Sequence, residues 1–170
     1  MYTHYAGIGS RQTPPHILQE MTRIAEWLGS DESHSLTLRS GGASGADTAF
    51  ASGAYSKDIY LPWRGFNNIT DGIVCGDDLR LQAIAAQYHP NWPACSRGAR
   101  ALHTRNVAQI LGHLPTSPRS SFVVCYTPDG LASGGTGQAI RIALAHNIPV
   151  FNLFHKDAFP SLELLLLKDH

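Results

Sequence analysis

A chain of 170 residues with 43% hydrophobic and 15% charged residues is one domain by size and can bury a proper core. Thirteen basic against thirteen acidic residues give zero formal charge, which argues against a dedicated nucleic-acid binder, although charge segregated between faces still permits a local basic patch. Three cysteines without CxxC spacing exclude a disulfide framework, no apolar run reaches the roughly 18 residues of a membrane span, and the N-terminus lacks a signal-peptide pattern, so the expectation is a soluble cytoplasmic protein.

The first strand is "HYAGIG", ending at Gly9. Thr13 followed by Pro14 reads as a helix N-cap with proline at the first helical position. The helix then runs to about Gly29 on an apolar stripe of Ile17, Leu18, Met21, Ile24, Ala25 and Leu28. "SLTLRSGG" is the second strand, and "ASGADTAFASGAY" a helix in which Ser44 and Asp47 fit a capping box loosely. "KDIYLPW" is the third strand, stopped by Pro62. Residues 64–98 form an irregular insertion that contains a short helix around Asp78 to Gln87, and a longer helix follows from about Ala99 to Leu114. "SSFVVCYT" reads as a strand buried on both faces. "GGTGQAIRIALAHN" is a glycine turn into a helix that Asn147 can end, "IPVFNLF" the fifth strand, and "FPSLELLLL" a covering helix.

This alternation predicts a single α/β domain over 1–170, a Rossmann-like three-layer fold. A central parallel sheet of about five strands carries helices on both faces, and the order 3-2-1-4-5 is taken by analogy with Rossmann-like sheets. The sheet then changes direction between strands one and four, where ligands of open α/β sheets bind at the carboxyl ends. The loops there are "GIGSRQT", with Gly7, Gly9, Ser10 and Arg11, and "TPDGLASGGTG", with Ser133, Gly134, Gly135, Thr136 and Gly137. Glycine lets a ligand approach the main chain, helix N-termini offer free N–H groups, and Arg11 suits bidentate phosphate binding. "SGGASGAD" is a third such loop on the same edge. Together they predict a phosphate-bearing ligand. Neither a Walker A loop nor a complete GxGxxG is present. Trp63, at the end of strand three, is placed to stack on a base. Nine histidines show no HxH or HExxH spacing and no His-Cys cluster, so no metal and no cofactor is expected.

"GIGSR", "LRSGGASGADTAF", "LHTRN" and "SGGTGQA" resemble, in that order, motifs of the Rossmann-like (SLOG) superfamily that contains DNA-processing protein A (DprA) and the LONELY GUY phosphoribohydrolases. The chain looks closest to the small stand-alone DprA-like proteins found often in bacteriophages. The resemblance runs from Tyr5 to about Leu153. It implies a nucleotide or nucleic-acid site formed by Ser10, Arg11, Ser40, Gly41, Gly42, Arg105, Asn106 and Gly134 to Gly137, and a homo-oligomer. LONELY GUY enzymes cut the N-glycosidic bond of nucleoside monophosphates with a PGGxGTxxE motif. Here Ser133 stands for its proline, Gln138 for its threonine, and Ile140 and Arg141 for its two glutamates. An oxocarbenium-like transition state wants a carboxylate near the sugar. Asp129, Asp47, Asp77 and Asp78 are the substitutes at hand, with Asp129 named beside Arg105 as the catalytic candidate. The first expectation is therefore a protein that binds a nucleotide or nucleotide-derived ligand. An N-glycosidic hydrolase or transferase is the alternative, and DprA-like single-stranded DNA binding in recombination the third reading.

Overall fold

Strand β1 (His4–Gly9) sends Tyr5 to one covered face of the sheet and Ala6 and Ile8 to the other. That two-sided burial needs a layer of helices on each side. The computed structural model, which describes residues 1–30, 32 and 34–168, supplies both layers. After β1 come helix α1 (Pro15–Gly29), β2 (Thr37–Ser40), α2 (Ala46–Gly53), β3 (Ser56–Leu61), β4 (Ile73–Val74), α3 (Leu79–Gln87), α4 (Arg97–Leu111), β5 (Val123–Tyr126), α5 (Gly134–Ala145), β6 (Val150–Asn152) and α6 (Ala158–Leu167). Short 3-10 turns cover Phe66–Asn68 and Trp92–Ala94.

The sheet is parallel throughout, in the order β4-β3-β2-β1-β5-β6. The expected order of five strands is present, with a sixth added at the β3 edge. Segment 64–98 contains that strand: Ile73 and Val74 pair with Tyr60 and Leu61. Two residues are too few to leave a periodic pattern, so only pairing with a neighbour makes them a strand. β1 is flanked by β2 and β5, with Ala6 opposite Val123 and Gly9 opposite Tyr126. The switch in strand direction therefore falls between β1 and β5.

One core cluster joins Tyr5, Leu38, Phe122 and Val124 of the sheet region to Met21 and Leu28 of α1, Phe50 of α2 and Leu162 of α6. The other joins Ala6, Ile8, Val123 and Cys125 to Leu81 of α3, Val107 and Ile110 of α4, and Ile142 of α5. Each fully buried large apolar side chain contributes about 1.5–3 kcal/mol by leaving water, so burial holds both layers.

Two helix starts differ from their expected form. The N-cap of α1 is Pro14, not Thr13, and Pro14 is extended (φ −58°, ψ 147°). A residue before proline is pushed out of the helical region, so Pro15 delays the helix by one position. The Thr13 hydroxyl instead donates to the Ser10 carbonyl (2.7 Å). At α2 the cap is Gly45, at φ +82°, with no side-chain bond. Ser44 therefore lies outside the helix, and Asp47 Oδ2 accepts the Ala43 N–H (3.1 Å). Asn147 sits just past α5 in the left-handed region (φ +56°), as a helix-ending asparagine does.

Candidate anion-binding site

The ends of β1, β2 and β5 open into a cleft of about 540 Å³, within the usual range for a small-molecule site. Gly9, Ser10 and Arg11 line one side; Ser133, Gly134, Gly135 and Thr136 line another; Asp47, Arg105, Asn106 and Gln109 also line it.

The β1–α1 turn is held by one carbonyl. Ser10 O accepts from Thr13 N (3.3 Å), from the Thr13 hydroxyl, and from Ala46 N (3.4 Å) at the start of α2. Ser10 Oγ accepts the Gln12 N–H (3.0 Å), which leaves its own proton to donate. Arg11 is exposed at the rim. A Cβ on Gly45 would lie 2.7 Å from both Cα and O of Arg11, so only glycine lets the β2–α2 loop pack this closely beneath the Arg11 backbone, in a backbone conformation that also favours glycine.

Across the cleft, α5 begins at Gly134 with no side-chain cap. The first N–H groups of a helix have no intrahelical acceptor and carry the positive end of its dipole. Those of Gly134, Gly135 and Thr136 border the cleft. Gly134 and Gly135 have open space where a Cβ would sit. The Ser133 hydroxyl donates to Asp129 Oδ1 (2.8 Å) rather than to the helix.

The cleft floor is polar and buried. Arg105 Nη1 donates to Gly41 O (2.7 Å) and Nη2 to Asn106 Oδ1 (3.3 Å), while its Nε is buried with no hydrogen-bond partner. Its guanidinium lies over the Phe66 ring at 5.7 Å. Burial pushes the Asp47 carboxyl above its ordinary range, against the pull of Arg105 and of the Ala43 N–H. Burial likewise lowers the Arg105 guanidinium, with Asp47 opposing. Both shifts run towards the neutral forms, so desolvation outweighs the mutual attraction of the pair.

The other expected residues divide into supports and outliers. Gly7 is buried beneath Phe50 of α2. The Ser40 hydroxyl donates to Gly7 O (2.9 Å). Gly41 lies under the floor, and Gly42 O accepts from Asn67 Nδ2 (3.0 Å). Gly137 is buried against Ala132. Gln138 is fully buried: its Nε2 donates to Ala85 O (3.2 Å) and His103 O (3.4 Å), and its Oε1 accepts from Asn106 Nδ2 (3.1 Å). It braces three helices and positions Asn106. Trp63 is 43% exposed, packs edge-on against Phe66 at 5.3 Å, and stands outside the cleft lining.

Asp129 also stands outside that lining. It accepts from Leu131 N and from Ser133, and these hydrogen bonds, the Leu131 N–H foremost, hold its carboxyl below the usual range. Among the described residues, Asp47 is the carboxylate in the cleft lining.

Gln109 went unnoticed in the sequence. It is 1% exposed, lies one helical turn beyond Arg105, and faces the cleft. The i, i+4 spacing of the two polar residues on α4 was the available signal.

No protein-family model matches the chain, and no curated protein does. Among solved structures it is similar to DNA processing protein A from Helicobacter pylori, described for its single-stranded DNA binding mode. The match has a TM-score of 0.49 and 16% identity, and takes in 88% of this chain but 64% of that one.

Proposed function

We propose that the cleft between β1 and β5 binds the phosphate of a nucleotide, received by the α5 N-terminus, the Ser10 hydroxyl and Arg11. The observation that carries this reading is the uncapped start of α5 lining one cleft with Arg11 and the partly unpartnered guanidinium of Arg105. Free N–H groups at a helix start and two guanidinium groups form an anion site. The adjoining volume accommodates a sugar and base. The same chemistry serves a free nucleotide or one unit of a single strand.

Equilibrium binding of nucleoside monophosphates, the matching nucleosides and a single-stranded oligonucleotide tests this. Monophosphates should bind more tightly than nucleosides. Arg11→Ala should weaken them about 10–100-fold, the value of a charge-assisted hydrogen bond of roughly 1.5–3 kcal/mol. Equal affinity for nucleosides and monophosphates would sink the reading. A steep fall of oligonucleotide affinity with salt would identify the strand as the source, because several phosphates would then be engaged.

A second reading, cleavage of the N-glycosidic bond, is favoured by one observation. Asp47 sits in the cleft beside Arg105 with a raised carboxyl, the environment of a proton donor. Release of free base from a monophosphate, abolished in Asp47→Asn, would support it. No release from any nucleotide would leave binding as the activity.

A further inference from the structure

We propose that His89, Cys95 and His103 form a zinc site that ties the loop after α3 to helix α4. Five and seven residues separate the three in sequence, a spacing that matches no familiar metal signature. The fold nevertheless brings one ligand atom from each within 4.8 Å of the other two. Cys95 Sγ lies 3.5 Å from Nε2 and 3.7 Å from Nδ1 of His89. A tetrahedral zinc with its usual bonds to sulfur and nitrogen sets the two ligand atoms about 3.6 Å apart. The His89 and His103 rings meet edge to face, with centroids 4.5 Å apart.

His103 Nδ1 is buried without a hydrogen-bond partner, an unusual state for a buried polar atom that calls for an explanation. Its backbone is fixed, since its carbonyl accepts from Gln138, so the ring starts from a rigid helix. The other two ligands sit on half-buried turns, which can close on an ion. Two imidazoles and a thiolate are a donor set zinc prefers over magnesium or calcium.

Binding has a defined local cost. The Asn91 N–H donates to His89 Nδ1 (3.0 Å) in an exposed turn. A metal on Nδ1 replaces that contact, while a metal on Nε2 moves the ring proton to Nδ1 and opens it. Cys95 gives its thiol proton to solvent. Three protein ligands leave the fourth position to water or an anion. His103 also lines the phosphate cleft, so the ion would add positive charge at its border. The zinc site stands independently of the nucleotide reading, because its ligands and its test do not involve the cleft's anion donors.

The test uses the full chain, stripped with a chelator and titrated with zinc alone and with cobalt(II) alone. One zinc per chain is expected, with a higher melting temperature. Cobalt should give the near-ultraviolet band of a thiolate–metal bond and the visible bands of a tetrahedral ion. Cys95→Ser should remove the thiolate band, and His103→Gln should weaken zinc by more than the roughly 10–100-fold that losing a mere outer-shell partner costs. His16→Gln, at an exposed residue of α1, should change neither. A wild-type protein that takes up no stoichiometric zinc, or shows no sulfur–cobalt band, overturns the proposal whatever the variants do. So does zinc binding that Cys95→Ser leaves unchanged.

Discussion

Asp47 and Arg105 approach one another over a backbone that has no room for a side chain: a Cβ on Gly41 would lie 2.8 Å from both Asp47 Oδ2 and Arg105 Cζ, and 2.5 Å from Gln109 Nε2. Three polar side chains from two helices thus converge on one glycine at the end of β2.

Gly41→Ala should therefore damage the site more than the fold. The added methyl must displace Arg105 or Gln109, and overpacking of this kind costs about 1–3 kcal/mol. Nucleotide affinity should fall at least as far as in Arg11→Ala, while circular dichroism stays native. Thermal melting and a binding titration on the same sample check both.

Arg105→Met leaves Asp47 buried without its cation. Removing one partner of a buried pair costs about 3–5 kcal/mol at neutral pH. The sign with pH follows from Asp47, whose carboxyl is already above its ordinary 3.8 in the folded chain and rises further without the guanidinium. The folded variant then holds a proton that the unfolded chain releases, so its stability falls as pH rises above 3.8 and recovers on acidification. Urea melts from neutral to mildly acidic pH should show the gap to wild type narrowing. A gap independent of pH would exclude Asp47 as its source.

Gln138→Leu should destabilise without touching the ligand directly. It removes the side-chain hydrogen bonds to the carbonyls of Ala85 and His103 and the one from the Asn106 amide, although Ala85 O keeps the Tyr88 N–H and Asn106 keeps Gly135 O. Each lost hydrogen bond costs about 0.5–1.5 kcal/mol. Ligand affinity should drop less than in Gly41→Ala, which a parallel titration measures.

Burial pushes the thiols of Cys75 and Cys125 up to about 12, whereas Cys95 is half-buried. A disulfide reagent at mildly alkaline pH should modify Cys95 alone in the native, metal-stripped protein, because the thiolate is the reactive form, and zinc should slow that reaction. All three thiols should react after denaturation. Peptide mapping of the native product identifies the site.

The alternation of strands and helices and the position of the cleft were legible in the sequence, because strands buried on both faces read as apolar runs and glycine loops follow them, whereas the strand order rested on analogy with Rossmann-like sheets. Pro14 and Pro15 misled by one residue, since the rule for a helix-starting proline competes with the rule for a residue before proline, and the second won. Gln138 stood in a loop motif yet serves the core; nothing local distinguishes a glutamine that faces a ligand from one that faces two carbonyls and an amide. His89, Cys95 and His103 could not be joined on paper, because their meeting depends on the 3-10 turn at Trp92–Ala94 folding back onto α4.

The sheet's two borders have a consequence for how copies of this chain can meet. One border strand has two residues and the other three, so neither presents the long unpaired ladder on which a second sheet grows. Stacking of sheets into a continuous ribbon is thereby discouraged, and at high concentration the chain should resist fibre formation. Helix α6, by contrast, leaves Leu164 and Leu167 open to solvent.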